Sequence, residues 1–334
     1  MNRPKGLYVL DKEAFELIYG PEEQRDIAEL VDVFAPPQTK ISVAANTRLL
    51  AEADVILSGW GAPVMDGRFL EAAPRLRAVF YGSGSIRYFT TDALWRRNVL
   101  VTSSYAANAV PVAEYTLGVI LLSLKHFWRL AAQARRGGEW RDPARQQVPG
   151  AFRRTVGLVS LGMIGQLVRE RLQPFDLRVI AYDPLLTAEM SAALKVDPVP
   201  LQQLFREADV VSLHTPWLRE TEGLIRGAHL AAMKTGATFI NTARGAIVRE
   251  REMIDALRQR PDLTAVLDVT DPEPPAAGSP LRTLPNVVLT PHIAGSLGLE
   301  CRRMGRYVVE ELRRYLAGEP LRWQLTEEKA RIMA

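Results

Sequence analysis

A recurring series of short, β-branched apolar runs constrains this chain more than any other feature. "GLYVL", "ADVILSGW", "RAVFYG" and "NVLVTSS" fall in the first part of the sequence. "TVGLVSL", "RVIAYD", "ADVVSLH", "ATFINTA", "TAVLDVT" and "NVVLTP" follow later, and helical patterns lie between the runs. Several are apolar at nearly every position, the mark of parallel strands covered on both faces. Strand–helix alternation of this kind specifies an α/β chain with doubly wound parallel sheets. The runs form two sets, and 334 residues exceed one core of ordinary size. Two α/β domains are therefore expected.

The joint is expected near "SSYAANAVPVAEYTLGVILLSLKHFWRLAAQARRGG". Ala109 to Arg136 reads as one long helix, with Asn108 as its cap, Pro111 in its first turn and Gly137–Gly138 as its stop. A second long helix is predicted from Leu299 to Ala317, ending at Gly318. The longest apolar stretch, Thr116 to Leu124, is short for a membrane span and is flanked by Glu114, Lys125 and His126. The N-terminal "MNRPKGLYVLDKEAF" holds no apolar run of signal-peptide length. The single cysteine, Cys301, excludes an internal disulfide and a metal site built on several thiolates. A cytoplasmic protein without a metal or membrane partner is expected. Net charge is only +4, and the arginines are dispersed, so no nucleic-acid surface is read.

"TVGLVSLGMIG", Thr155 to Gly165, matches a dinucleotide-binding turn in all but one place. Gly162 and Gly165 hold the second and third glycine positions of G-x-G-x-x-G, and Ser160 holds the first. The stretch follows a predicted strand, Val156 to Val159, and opens a predicted helix, Ile164 to Leu172, which is the context that the motif needs. Gly162 lets backbone approach a pyrophosphate, and Gly165 lets helix and strand pack closely. Ser160 is expected to hold the turn with a negative φ. Asp183 ends the next strand 18 residues past Gly165, where an acid binds ribose hydroxyls and repels the extra phosphate of NADP. NAD is the expected cofactor.

Ligands of an open α/β sheet bind beyond the carboxyl ends of its strands. Of the four histidines, His214 and His292 end predicted strands, whereas His126 and His229 lie in helical patterns. Arg244 and Glu273 also follow strands. A cation, a carboxylate and an imidazole at one sheet edge suit hydride transfer to a carbonyl acid, which needs a proton donor and charge stabilisation.

With these residues in hand, the chain resembles the D-isomer-specific 2-hydroxyacid dehydrogenases. "TVGLVSLGMIGQ", "AYDP", "LHTPWLRETEGLI", "MKTGATFINTARGAIV", "LDVTDPEPP" and "LTPHIAGSL" carry the resemblance. It implies two Rossmann-like domains, with the coenzyme domain (104–296) inserted into a substrate domain (1–103 and 297–334), and a cleft that closes on the ligands. Arg244 is then expected to bind the substrate carboxylate and carbonyl oxygen. His292 is the acid/base, and Glu273 orients it and raises its pKa. Gly162, Met163, Ile164 and Gly165 are expected to line the pyrophosphate, and Asp183 the adenosine ribose. His214, Thr215, Pro216, Thr242, Ala243, Asp268 and Gly295 complete the expected cofactor contacts, with Asp268 near the nicotinamide carboxamide. A homodimer is implied, with the Ala109–Arg136 helix as its surface.

"YGSGSIRYF" resembles the family's carboxylate-binding loop, so the backbone N–H groups of Ser83 and Gly84 are expected to hold the substrate acid. The family's two following aspartates are replaced by Ile86 and Phe89. Either this change alters packing between the domains, the preferred reading, or it lets Arg87 meet a second anionic group on the substrate. The expected activity is NAD-dependent reduction of a small 2-oxo acid of the glyoxylate or hydroxypyruvate kind. A non-catalytic, corepressor-like NAD-binding scaffold is the alternative. A formate-dehydrogenase-like enzyme is disfavoured, because those relatives carry glutamine where this chain has Glu273.

Overall fold

In a computed structural model, residues 3–137 and 148–333 are described. The chain divides into two compact units, one formed by Met1–Asn108 with Ser296–Ala334 and the other by Ala109–Gly295. Each is built on its own sheet.

The first unit contains strands β1 (Lys5–Val9), β2 (Asp32–Val33), β3 (Val55–Ser58), β4 (Ala78–Tyr81) and β5 (Leu100–Ser103). The second contains β6 (Thr155–Val159), β7 (Arg178–Tyr182), β8 (Asp197–Pro198), β9 (Val210–Leu213), β10 (Thr238–Asn241), β11 (Thr264–Leu267) and β12 (Val287–Leu289). Strand β13 (Gln324–Leu325) returns to the first sheet. The orders are β13-β5-β4-β3-β1-β2 and β12-β11-β10-β9-β6-β7-β8. All pairings are parallel except β13 on β5. The fold is thus α/β with two doubly wound sheets, the second inserted in the chain of the first.

The side-chain alternation of strands explains why the sheets need cover on both faces. In the second unit, Val156, Leu158, Val179, Ile240 and Val266 share one core, while Val159, Ile180, Val211, Leu213 and Phe239 share another. In the first, Leu7, Ile56, Val79 and Tyr81 pack apart from Tyr8, Leu57, Ala78 and Phe80. Helices supply the outer layers. The helix Glu300–Ala317 ends as expected at Gly318, which caps it at φ +69.

The expected helix Ala109–Arg136 is instead two helices, Tyr105–Ser123 and Phe127–Arg135. They part at His126, which adopts φ +49. The preceding turn tightens to i→i−3 bonds, from Lys125 N–H to the Leu122 carbonyl and from His126 N–H to the Ser123 carbonyl. The imidazole lies against Gly236, and its Nδ1 accepts a bond from Arg129 Nη2 at 2.8 Å. Apolar periodicity runs through the break, which hides it in the sequence.

Asn108 is not a cap. It lies inside the first of these helices, and its Oδ1 accepts the Ser296 N–H at 2.9 Å. Pro111 is likewise interior, so the Ala107 carbonyl receives no N–H from it. Gly137 does follow the second helix in a left-handed conformation, while Gly138 lies outside the described residues. The Tyr105–Ser123 helix is apolar and long enough to cross a membrane, but 56% of it is buried, with Ala113, Val119 and Ile120 in the core of the second unit. It is a core helix.

Candidate active site

The second sheet is wholly parallel, so the loops after its strands open on one rim. Its order reverses between β6 and β9, the switch point where such sheets bind nucleotides. Every candidate of the second unit belongs to a segment following β6, β7, β9, β10, β11 or β12.

After β6, Ser160 has φ +74, not the expected negative value. The turn needs a left-handed residue, and serine adopts it where glycine is the ordinary choice. Ser160 N–H donates to the Tyr182 carbonyl at 2.7 Å, and its hydroxyl lies 2.9 Å from Thr215 Oγ1. Gly162 then caps the helix Met163–Leu172, and a Cβ there would meet nothing within 4 Å. A Cβ on Gly165 would stand 2.3 Å from the Ser160 carbonyl oxygen, so only glycine permits this approach of helix and turn. Met163 is partly exposed at the helix start, with Ile164 beside it. No side chain caps this helix. Asp183, which follows β7, turns toward the loop after β6, and its Oδ2 accepts the Leu161 N–H at 2.7 Å.

After β9, His214, Thr215 and Pro216 follow one another. His214 is buried, and neither ring nitrogen has a hydrogen-bond partner among the described residues. Burial pushes its pKa down to about 3. The open space at Gly162, the uncapped helix and this polar but unsatisfied wall fit a bound dinucleotide. His126 and His229 are structural. His229 Nδ1 accepts the Arg226 N–H that opens its own short helix.

After β10, Asn241 shapes the turn that carries Arg244. Its Oδ1 accepts the Ala243 N–H at 3.0 Å, and its Nδ2 donates to the Arg244 carbonyl at 3.0 Å. Arg244 is half-buried, and its Nη1 donates to the Ala243 carbonyl at 2.6 Å. A Cβ on Gly245 would lie about 2 Å from the Thr270 backbone, so this glycine serves a close approach to the segment after β11. Thr242 is buried, with its hydroxyl 3.4 Å from that of Thr116.

After β11 and β12 come Asp268, Glu273 and His292. His292 Nδ1 and Glu273 Oε1 are 2.6 Å apart, and both side chains are about half exposed. His292 has φ +55, and its N–H donates to the Asp268 carbonyl at 3.0 Å. The Asp268 carboxylate is buried and accepts three hydrogen bonds. Its Oδ1 accepts from Thr290 Oγ1 at 2.6 Å and Ile293 N–H at 2.8 Å, and its Oδ2 accepts Ala294 N–H at 2.9 Å. Gly295 is the next residue. Asp268 therefore binds the His292 loop itself, a role that sequence reasoning missed. Thr290 extends the network to the hydroxyl of Tyr115 at 3.0 Å, whose pKa burial raises. Neither Thr290 nor Tyr115 was expected, and Tyr115 lies on a helix remote in sequence.

Ser83, Gly84 and Arg87 lie on the loop after β4 in the first unit. The Ser103 hydroxyl lies 2.8 and 2.6 Å from the Ser83 and Gly84 carbonyl oxygens and shares its one O–H between them. Ile86 and Phe89 are buried in the core of this unit with Tyr81, Leu94 and Val101. Arg87 is exposed. A cavity of about 460 Å³ in the first unit, lined by Tyr8, Phe15, Phe34 and Pro37 among others, contains none of the candidates.

Residues 117–294 match the family described as D-isomer specific 2-hydroxyacid dehydrogenase, NAD binding domain. The chain belongs to that family. Its second unit is therefore an NAD-binding domain, and the family is one of NAD-dependent oxidoreductases. The chain is 36% identical over 296 residues to a D-3-phosphoglycerate dehydrogenase of Mycobacterium leprae, covering 88% of this chain and 54% of that one. It thus spans about half the length of that relative. It is 30% identical over 305 residues to a hydroxypyruvate reductase of Thermotoga maritima, covering 91% and 94% of the two chains. In fold it is similar to the holo D-mandelate dehydrogenase of Rhodotorula graminis, with TM-score 0.81 at 24% identity over 97% and 98% of the chains.

Proposed function

We propose that this chain is an NAD(H)-dependent D-2-hydroxyacid dehydrogenase acting as a reductase of small 2-oxo acids of the glyoxylate or hydroxypyruvate kind. The observation that carries this reading is the 2.6 Å contact between His292 and Glu273 at the rim of the nucleotide-binding sheet. NAD, when bound, supplies or accepts the hydride. Gly162, Met163, Ile164 and Gly165 hold its pyrophosphate, and Asp183 its ribose. His214, Thr215, Pro216, Thr242, Ala243, Asp268 and Gly295 line the rest.

Glu273 holds the proton of His292 Nδ1, which leaves Nε2 to act on substrate. Nε2 donates to the carbonyl oxygen during reduction and accepts the hydroxyl proton in reverse. The Arg244 guanidinium, planar and permanently charged, binds the substrate carboxylate and offsets charge developing on the carbonyl oxygen. In the first unit, which serves as the substrate domain, the Ser83 and Gly84 N–H groups take the carboxylate. A scaffold without turnover has no chemical use for an imidazole aligned by a carboxylate.

The enzyme works as a homodimer in the cytoplasm. The Phe127–Arg135 helix has no buried residue, and Phe127 and Leu122 are exposed, which suits a contact with a second copy. Sedimentation at the monomer mass over micromolar concentrations would remove that assignment.

The activity is tested by NADH oxidation across 2-oxo acids of graded size and charge, including glyoxylate, hydroxypyruvate and its 3-phospho ester. Turnover of a small 2-oxo acid with NADH, and far weaker turnover with NADPH, is expected. Saturable NADH binding without turnover of any acid would favour the scaffold. Repeating the screen with Arg87→Ala identifies whether this side chain selects for a second anionic group.

A further inference from the structure

The substitution in the nucleotide loop has its own logic. Ser160 replaces a turn glycine, yet it is 7% exposed and left-handed, a conformation that costs a non-glycine residue stability. Its carbonyl oxygen lies where a Cβ on Gly165 would sit, so the turn cannot relax toward the helix. Its N–H is bound to the Tyr182 carbonyl at the end of β7. Its hydroxyl reaches Thr215 Oγ1, beyond the end of β9, at 2.9 Å. Thr215 is itself 4% exposed. The hydroxyl pair therefore bridges the loops that follow β6 and β9, the strands that flank the switch point.

We infer that Ser160 and Thr215 form a polar clamp that fixes the spacing of the two nucleotide-binding loops before the cofactor arrives. Glycine would adopt this turn without strain but could not make the bridge. Two loops locked together lose less freedom on binding, so the clamp raises NAD(H) affinity by preorganisation and not by direct contact. Ser160 is thus a positioning residue. The inference rests on the reading of this rim as the NAD site.

The test uses Ser160→Gly and Ser160→Ala in the full chain, with NADH affinity from fluorescence titration and the melting temperature of the ligand-free protein. Ser160→Ala keeps the strained turn and loses the bridge, so its melting temperature falls. Ser160→Gly loses the bridge but relieves the strain, so its melting temperature stays near that of the parent. Both variants bind NADH roughly three- to tenfold more weakly, the scale of one lost hydrogen bond. A role in stability alone would make affinity follow melting temperature, and Ser160→Gly breaks that link. Ser160→Gly binding NADH as tightly as the parent, or more tightly, would overturn the clamp. Absence of saturable NADH binding in the parent protein would instead overturn the NAD reading itself.

Discussion

Two non-glycine residues at the rim of the second sheet adopt left-handed backbone, and they are held there in opposite ways. Ser160, after β6, is buried, and its own hydroxyl bonds across to Thr215. His292, after β12, is half exposed, and its neighbours do the holding. The Asp268 carbonyl takes its N–H, and the Asp268 carboxylate takes the two N–H groups that follow. In the first case the side chain is consumed in a bridge to the loop after β9. In the second the backbone is fixed by others, and the half-exposed imidazole stays available for Glu273. The contrast separates a side chain used up in its own loop from one left for the proton transfer proposed above.

Four substitutions sharpen or break this comparison. Asp268→Asn removes an acceptor from a buried carboxylate that receives three bonds, so it should destabilise the chain by about 2–4 kcal/mol. Its melting temperature should fall by roughly 5–10 °C, and turnover should fall with it. An unchanged melting curve would show that the His292 loop does not depend on Asp268.

His214 offers a pH-dependent test. Its folded pKa is about 3 against an ordinary 6.5, so the unfolded chain binds the proton first as pH falls. The stability held above pH 6.5 is lost progressively toward pH 3. His214→Gln should therefore flatten the stability curve over that window by about 3 kcal/mol at pH 4. Parallel curves for the two proteins would contradict a buried, neutral imidazole.

Thr290→Val cuts the link between Asp268 and Tyr115 and should cost about 1–2 kcal/mol, read from urea unfolding. Ser160→Ala should cost about 1 kcal/mol, the smallest effect, because only one bond is lost and the strained turn persists. If Ser160→Ala proved costlier than Asp268→Asn, the ranking of the two loops would be inverted.

The strands of three residues or more were legible because burial on both faces leaves continuous apolar runs such as "VILS", "AVFY" and "VVSL". The two-residue strands Asp32–Val33, Asp197–Pro198 and Gln324–Leu325 leave no such trace. All three are sheet edges, where pairing on one side suffices. The break at His126 was hidden because the apolar period continues into Phe127 and Trp128. Ser160 was assigned the wrong sign of φ because local sterics favour it. The backbone bond from Ser160 N–H to the Tyr182 carbonyl, remote in sequence, is what local sterics cannot show. His292 and Glu273 were recognisable as polar residues beyond strand ends, whereas Tyr115 acts through a distant helix with no local mark.

The most direct test of the account is a single-turnover measurement. Protein preloaded with NADH is mixed with a 2-oxo acid that turns over in the screen, and NADH absorbance is followed for the parent and for His292→Asn. The account predicts that His292→Asn binds NADH within about twofold of the parent but oxidises it about 10²–10⁴-fold more slowly. NADH oxidation at the parent rate in His292→Asn would contradict the assignment of the transferred proton to this imidazole.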